Sequence, residues 1–85
     1  MECILVYHPI DELWRAWMGQ DSYWVEQGDT FYIDLAAGRY LKAYMEKDFD
    51  WFVTIEERVR IILHTSEVYK IRIDPHQLLQ VELPF

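Results

Sequence analysis

The chain has 85 residues, 52% of them hydrophobic, which is the composition of one folded globular domain and excludes a disordered segment. Its net charge is −7, and residues 1–38 alone hold seven acidic residues against one basic residue. This charge disfavours direct binding to nucleic acid and favours a partner protein with a basic surface. Because no signal-peptide pattern, no long apolar run and only one cysteine occur, we expect a soluble cytoplasmic protein.

The first predicted elements are a strand and a helix. Residues 3–7 form a short, continuous apolar run whose length is typical of a buried strand, and a His-Pro pair ends it. From residue 10 to residue 18 the apolar side chains recur at helical spacing, between a proline and a glycine that suit the two ends of a helix. The sequence therefore predicts an amphipathic helix here.

Residues 22–45 predict a meander of three strands. Gly28-Asp29 is a two-residue hairpin signal, and residues 36–38 suit a three-residue loop that ends in a left-handed glycine. A helix over residues 34–47 is the alternative, which Gly38 disfavours because it would lie in the helix interior. The two turns predict these pairs across the strands: Trp24 with Ile33, Glu26 with Phe31, Ile33 with Leu41, and Phe31 with Ala43.

The predicted meander has two unlike faces. One face is apolar, and we expect the helix to cover it: Trp24, Phe31, Ile33, Leu35, Leu41, Ala43 and Met45. The other face is rich in tyrosine: Tyr23, Val25, Thr30, Tyr32, Asp34, Tyr40, Lys42 and Tyr44.

Further strands are predicted after the meander. Apolar residues at odd positions in 51–63 predict one long or bent strand, although a helix from Thr54 fits almost equally well. Residues 68–73 alternate cleanly, Asp74-Pro75 predicts a turn, and residues 79–83 predict a last strand. An odd-length loop near Ser66, between the first two of these segments, would make these pairs: Val59 with Ile73, and Ile61 with Ile71.

These elements predict the α+β class, in a single compact domain over residues 1–85. Its antiparallel sheet would consist of the three-stranded meander and the C-terminal strands, with one amphipathic helix packed on it. The arrangement predicts no catalytic residue, metal site or cofactor. Cys3 has no nearby cation to activate it, the three histidines lack metal-ligand spacing, and Asp48-Phe49-Asp50 lacks the glycine and the closing glutamate of a calcium loop.

The tyrosine-rich face is the remaining candidate site, because tyrosine offers large, stiff contact area and is enriched at protein interfaces. The alternative is that the C-terminal strands bury it. The predicted function is a small acidic binding module without catalysis. As an inhibitor, like phage-encoded anti-defence proteins, it would occlude the basic, nucleic-acid-binding surface of a partner protein or mimic a nucleic acid there. The predicted partner-binding residues are Tyr23, Tyr32, Asp34, Tyr40 and Tyr44, with Asp21 and Asp29 at the flanks.

Two other functions fit the same sequence. One is an accessory subunit or a homodimer that buries the tyrosine-rich face permanently. The other is a small apolar-ligand binder built from the tryptophans: Trp14, Trp17, Trp24 and Trp51.

Overall fold

The computed structural model describes residues 2–74, 76 and 78–81. Within them nine strands form one antiparallel sheet, no α-helix is present, and no helix could span a membrane. The order across the sheet is β7-β6-β5-β4-β8-β1-β2-β3-β9, so β8 lies between β4 and β1. In chain order the strands are β1 Glu2–His8, β2 Leu13–Met18, β3 Asp21–Val25, β4 Thr30–Ala36, β5 Arg39–Lys47, β6 Trp51–Ile55, β7 Val59–Ile62, β8 Tyr69–Arg72 and β9 Leu79–Gln80.

The sheet curls around one of its faces, and the core fills the inside of the curl. A single hydrophobic cluster joins Trp14 and Val25, from the β1–β3 half, to Met45 and Val53, from the β4–β7 half. All four side chains are fully buried. We call the side that carries this cluster the inner face and the opposite side the outer face.

The predicted helix over residues 10–18 is wrong, and with it the α+β class, because the fold is nearly all antiparallel β-sheet. A turn at residues 9–12 leads into β2, which pairs with both β1 and β3. On the outer face of β2, Arg15 is only 4% exposed, with its guanidinium carbon 4.7 Å from the Trp24 ring centroid and 5.9 Å from that of Trp17. Both faces of β2 are therefore covered, so its sequence lacks the alternation of a strand with one polar face. Its apolar residues happen to recur at helical spacing instead.

The second hairpin of the predicted meander, β4–β5, is confirmed in its register. Its turn is a two-residue turn that follows a bulge between Asp34 and Ala36, instead of the predicted three-residue loop. Ala37 and Gly38 both have left-handed backbones, with φ of 49° and 81°, as this turn type requires. The observed pairs include both predicted ones: Phe31 with Ala43, and Ile33 with Leu41.

The first hairpin of the meander is wrong, because β3 lies between β2 and β9 and makes no pair with β4. Gly28, with φ of 100°, sits in the turn that carries the chain to the other half of the sheet, where its N–H donates to the Met45 carbonyl at 2.8 Å. Val25 lies in the core instead of on the polar face, and Trp24 lies on the outer face. The predicted pairs that fail are Trp24 with Ile33, and Glu26 with Phe31.

Residues 51–63 form neither the predicted long strand nor the alternative helix. They contain the hairpin β6–β7, which turns at Glu56 and Glu57 with φ of 50° and 63°. Turns with left-handed backbones normally use glycine or asparagine, so a pair of glutamates gave no sequence signal for this turn. Since β7 is an edge strand and Ile71 pairs with Cys3 and Ile33, two predicted pairs are wrong: Val59 with Ile73, and Ile61 with Ile71.

The other predicted strands are confirmed where the structure describes them. β1 contains residues 3–7 and lies between β8 and β2, β8 falls within residues 68–73, and β9 falls within residues 79–83. The Asp74 carboxylate accepts a hydrogen bond from the His76 N–H at 3.0 Å. Pro75 of the predicted turn and residues 82–83 of the predicted last strand lie outside the described residues.

Candidate binding face

Three of the predicted tyrosines share the outer face of β4 and β5. Ile33 and Ala43 point into the core, so alternation directs Tyr32, Tyr40 and Tyr44 outward. Tyr32 is 50% exposed and Tyr44 is 45% exposed, whereas Tyr40 is partly buried. The outer surface of β4, β5 and β8 around these rings is the tyrosine face, and no described strand covers it.

The least exposed of the three rings, Tyr40, is fixed by two charged neighbours from other strands. Its hydroxyl donates to Glu2 Oε1 at 2.9 Å, and the Arg72 guanidinium carbon lies 4.1 Å from the ring centroid. Arg72 is also 3.9 Å from the same Glu2 oxygen. The hydrogen bond to Glu2 raises the pKa of Tyr40 above its usual value, with smaller contributions from desolvation and from the Glu2 charge.

Asp34 belongs to the tyrosine face by position, but its carboxylate holds the β4–β5 turn. Its Oδ1 accepts from the N–H groups of Ala36 and Gly38, each at 3.1 Å, and its Oδ2 is also 3.1 Å from the Gly38 nitrogen. These bonds satisfy backbone donors that the bulge and the turn leave unpaired. The first role of Asp34 is therefore local structure.

A groove of about 310 Å³ lies beside Tyr44 and carries three glutamates. Glu46 accepts a hydrogen bond from the Thr54 hydroxyl at 2.5 Å. Glu56 binds the backbone of Lys42 twice, because its carboxylate accepts from the Lys42 N–H at 3.1 Å and its own N–H donates to the Lys42 carbonyl at 3.0 Å. The groove is lined by Thr30, Lys42, Ala43, Tyr44, Glu46, Thr54, Glu56 and Glu57.

The structure does not bring the other predicted site residues to this face. Tyr23 lies opposite Ala16, a core residue, so it points to the inner side of β3 in the other half of the sheet. Asp21, at the start of β3, is 3.4 Å from the side-chain nitrogen of Gln80. Asp29 accepts from the Glu26 N–H at 2.7 Å and so shapes the turn before β4.

Sequence reasoning missed the contribution of β8 and β1 to this face. Lys70 and Arg72 point outward from β8, where Arg72 lies opposite Tyr32 of β4, and Glu2 points outward from β1 opposite Arg72. The alternation of residues 68–73 indicated one polar side of that strand, but no local signal placed the strand next to β4. The outward direction of Lys42 was predicted correctly, because it follows from the register of the β4–β5 hairpin.

Outside the tyrosine face, the described cysteine, histidine and tryptophan side chains lie in separate places and do not form a cluster. Burial raises the pKa of the Cys3 thiol, partly offset by the N-terminal charge and a backbone hydrogen bond with Ile73. Among the described residues no group of three or more histidine, cysteine, aspartate or glutamate side chains could hold a metal ion. Two tryptophans, Trp14 and Trp51, belong to the core, while the other two flank Arg15 on the outer face. The four rings therefore do not line one cavity.

No protein-family model matches the chain, and neither a curated protein nor a solved structure matches it. The tyrosine face is therefore interpreted from its own geometry and charge.

Proposed function

We propose that the protein is a small, non-enzymatic binding module that engages another protein through the tyrosine face. The observation that carries this proposal is the half-exposed state of Tyr32 and Tyr44 on a rigid sheet whose opposite side is the core. Tyrosine loses little conformational entropy on binding and is enriched among residues that dominate interfaces. Tyr40, which Glu2 and Arg72 hold in place, adds a third ring that is ordered before binding.

We further propose a partner with a basic surface. The net charge of −7 favours such a partner at long range, and the three glutamates beside Tyr44 favour it at close range. The inhibitor hypothesis is a special case, in which the captured partner binds nucleic acid through the surface that this protein occupies. Lys42, Lys70 and Arg72 share the face with the tyrosines, so the support is for occlusion and not for imitation of a phosphate chain.

The test is affinity capture of the partner from the native host, repeated with substituted proteins. Tyr32→Thr combined with Tyr44→Thr removes both rings and keeps residues that suit a strand. Phe49→Ala is the matched control, because Phe49 is a 95% exposed aromatic residue in the β5–β6 loop. We expect the double substitution to abolish capture and the control to retain it. Equal capture by both variants would refute the role of the tyrosine face.

The inhibitor hypothesis has its own test on the captured partner. If the protein occludes a nucleic-acid-binding surface, it should release a bound oligonucleotide from the partner, and raising the salt concentration should weaken its own binding. A ternary complex with both ligands bound would contradict occlusion while leaving protein binding intact.

The alternative of a homodimer or a permanent subunit has one observation in its favour. Among the described strands, the edge strand β7 pairs with β6 alone, and its Val59 and Ile62 side chains are about half exposed. Exposed apolar edge strands pair readily with other chains. Light scattering over a concentration series separates the possibilities, since a stable dimer at micromolar concentration would favour self-association and a monomer would favour a separate partner.

A further inference from the structure

We infer that one end of the tyrosine face binds an acidic segment of the partner, and this inference rests on the proposed function. We call this part the basic end: Tyr32, Lys42, Lys70 and Arg72. The inferred partner is therefore a protein that carries carboxylates next to its basic residues.

The basic end consists of one exposed ring between two cations. Tyr32 lies directly opposite Lys42 on β5 and directly opposite Arg72 on β8. Side chains in directly opposed positions have Cβ atoms about 5 Å apart, so both cations lie within reach of a group that contacts the ring. Lys70 is two residues along β8 from Arg72 and points to the same side.

The carboxylates that share this part of the face already have partners. Asp34 accepts hydrogen bonds from the turn, and Glu2 accepts one from Tyr40 and lies near Arg72. Over the part of the chain that the structure describes, no carboxylate lies within ion-pair distance of Lys42 or Lys70. Lys42 and Lys70 are therefore cations of the basic end that make no ion pair within the described part of the protein, whereas Arg72 is paired with Glu2.

Arg72 is positioned to receive a carboxylate. Its guanidinium carbon lies 4.1 Å from the Tyr40 ring centroid, a contact that restricts the guanidinium, while the side chain remains 55% exposed. A planar guanidinium can donate two parallel hydrogen bonds to one carboxylate, and a fixed orientation lowers the entropy lost on binding. A glutamate or aspartate of the partner, next to a residue that covers Tyr32, fits this geometry.

The carboxylates of the glutamate groove lie beyond Lys42, which lines the groove and is also the part of the basic end nearest to it. The other two cations of the basic end, Lys70 and Arg72 on β8, lie at least two strand spacings, or about 10 Å, from Glu46 on β5. This exceeds the screening length of about 8 Å at physiological salt, so a partner experiences the two ends as separate charges of opposite sign. The partner must present basic residues to the groove and acidic residues to the basic end, which fixes its orientation.

A peptide fits the basic end better than a nucleic acid does. A phosphate chain would extend beyond these cations and meet the field of a protein whose net charge is −7. A short acidic segment interacts only over the screening length, where the local cations dominate.

The test uses two short synthetic peptides that alternate threonine with glutamate or threonine with lysine, titrated into isotope-labelled protein. The acidic peptide should shift the backbone NMR signals of Tyr32, Lys70 and Arg72, and the basic peptide should shift those around the glutamate groove. Lys70→Glu should weaken binding of the acidic peptide about fivefold or more. Lys47→Glu is the control, because it changes the net charge equally at an exposed site beside Trp51, away from the basic end.

Three results would overturn the inference: equal weakening by Lys70→Glu and Lys47→Glu, no shifts at the basic end, or tighter binding of oligothymidylate than of the acidic peptide. Failure of the proposed function has a different signature. In that case partner capture survives the loss of Tyr32 and Tyr44, whatever the peptides do.

Discussion

Replacement of Ile71 by alanine tests the feature that organises this fold, the insertion of β8 between β4 and β1. The Ile71 side chain is fully buried, and its backbone lies opposite Cys3 on one side and Ile33 on the other. The substitution removes three carbon atoms from the point where the two halves of the sheet meet. We expect the cavity to persist, because strands on both sides hold the backbone.

The expected loss is large relative to the total stability. Isoleucine-to-alanine substitutions in well-packed cores cost about 2–5 kcal/mol, and we expect about 3 kcal/mol for Ile71→Ala. A chain of this length has a total unfolding free energy of about 4–13 kcal/mol. The melting temperature should therefore fall by about 12–24 °C.

Urea unfolding followed by tryptophan fluorescence gives the difference in unfolding free energy directly. Lys70→Ala is the matched control, since Lys70 precedes Ile71 on the same strand and is exposed. It should cost less than about 1 kcal/mol. A loss below about 1 kcal/mol for Ile71→Ala, or equal losses for the two variants, would refute the central position of β8.

Three further predictions follow from single residues. Glu57 has φ of 63°, a left-handed backbone that glycine adopts with less strain. Glu57→Gly should therefore raise the unfolding free energy, measured by urea unfolding, by about 1 kcal/mol. Arg58→Gly in the same turn should lower it. The raised pKa of Tyr40 predicts that its hydroxyl ionises late in an absorbance titration at alkaline pH, and Tyr40→Phe should remove this late change. The stabilising effect of its hydrogen bond to Glu2 is complete below the unfolded-state pKa of Tyr40 and is lost as pH rises through the folded-state pKa. Cys3 should be alkylated much more slowly in the native protein than in urea, because desolvation raises the pKa of its thiol.

Local signals sufficed for the β4–β5 hairpin and for the outward tyrosines on it. Gly38 marked the turn, and strict alternation on both strands allowed only one register. The directions of Tyr32, Tyr40 and Tyr44 follow from that register, so this half of the candidate face was predictable.

The rest of the face depends on contacts between distant parts of the chain. β8 pairs with β1 and β4, which are distant from it in the sequence, and no sequence signal near residues 69–72 specifies those two strands as its partners. The predicted pairing of β3 with β4 was wrong for a related reason. Gly28 gives a local hairpin signal, but the turn that contains it connects β3 to a strand in the other half of the sheet. β2 was mistaken for a helix because Arg15 is buried between two tryptophans, which removes the alternation of a strand with one polar face.

The most direct test of the central claim is hydroxyl-radical footprinting of the native protein, read residue by residue by mass spectrometry. The claim is that the outer face of β4 and β5 is open to a partner while the inner face is the core. Relative to the unfolded chain, Tyr32 and Tyr44 should keep about half of their reactivity, in line with exposed fractions of 50% and 45%, and Trp14 should be strongly protected. Protection of Tyr32 and Tyr44 as complete as that of Trp14 would contradict the claim.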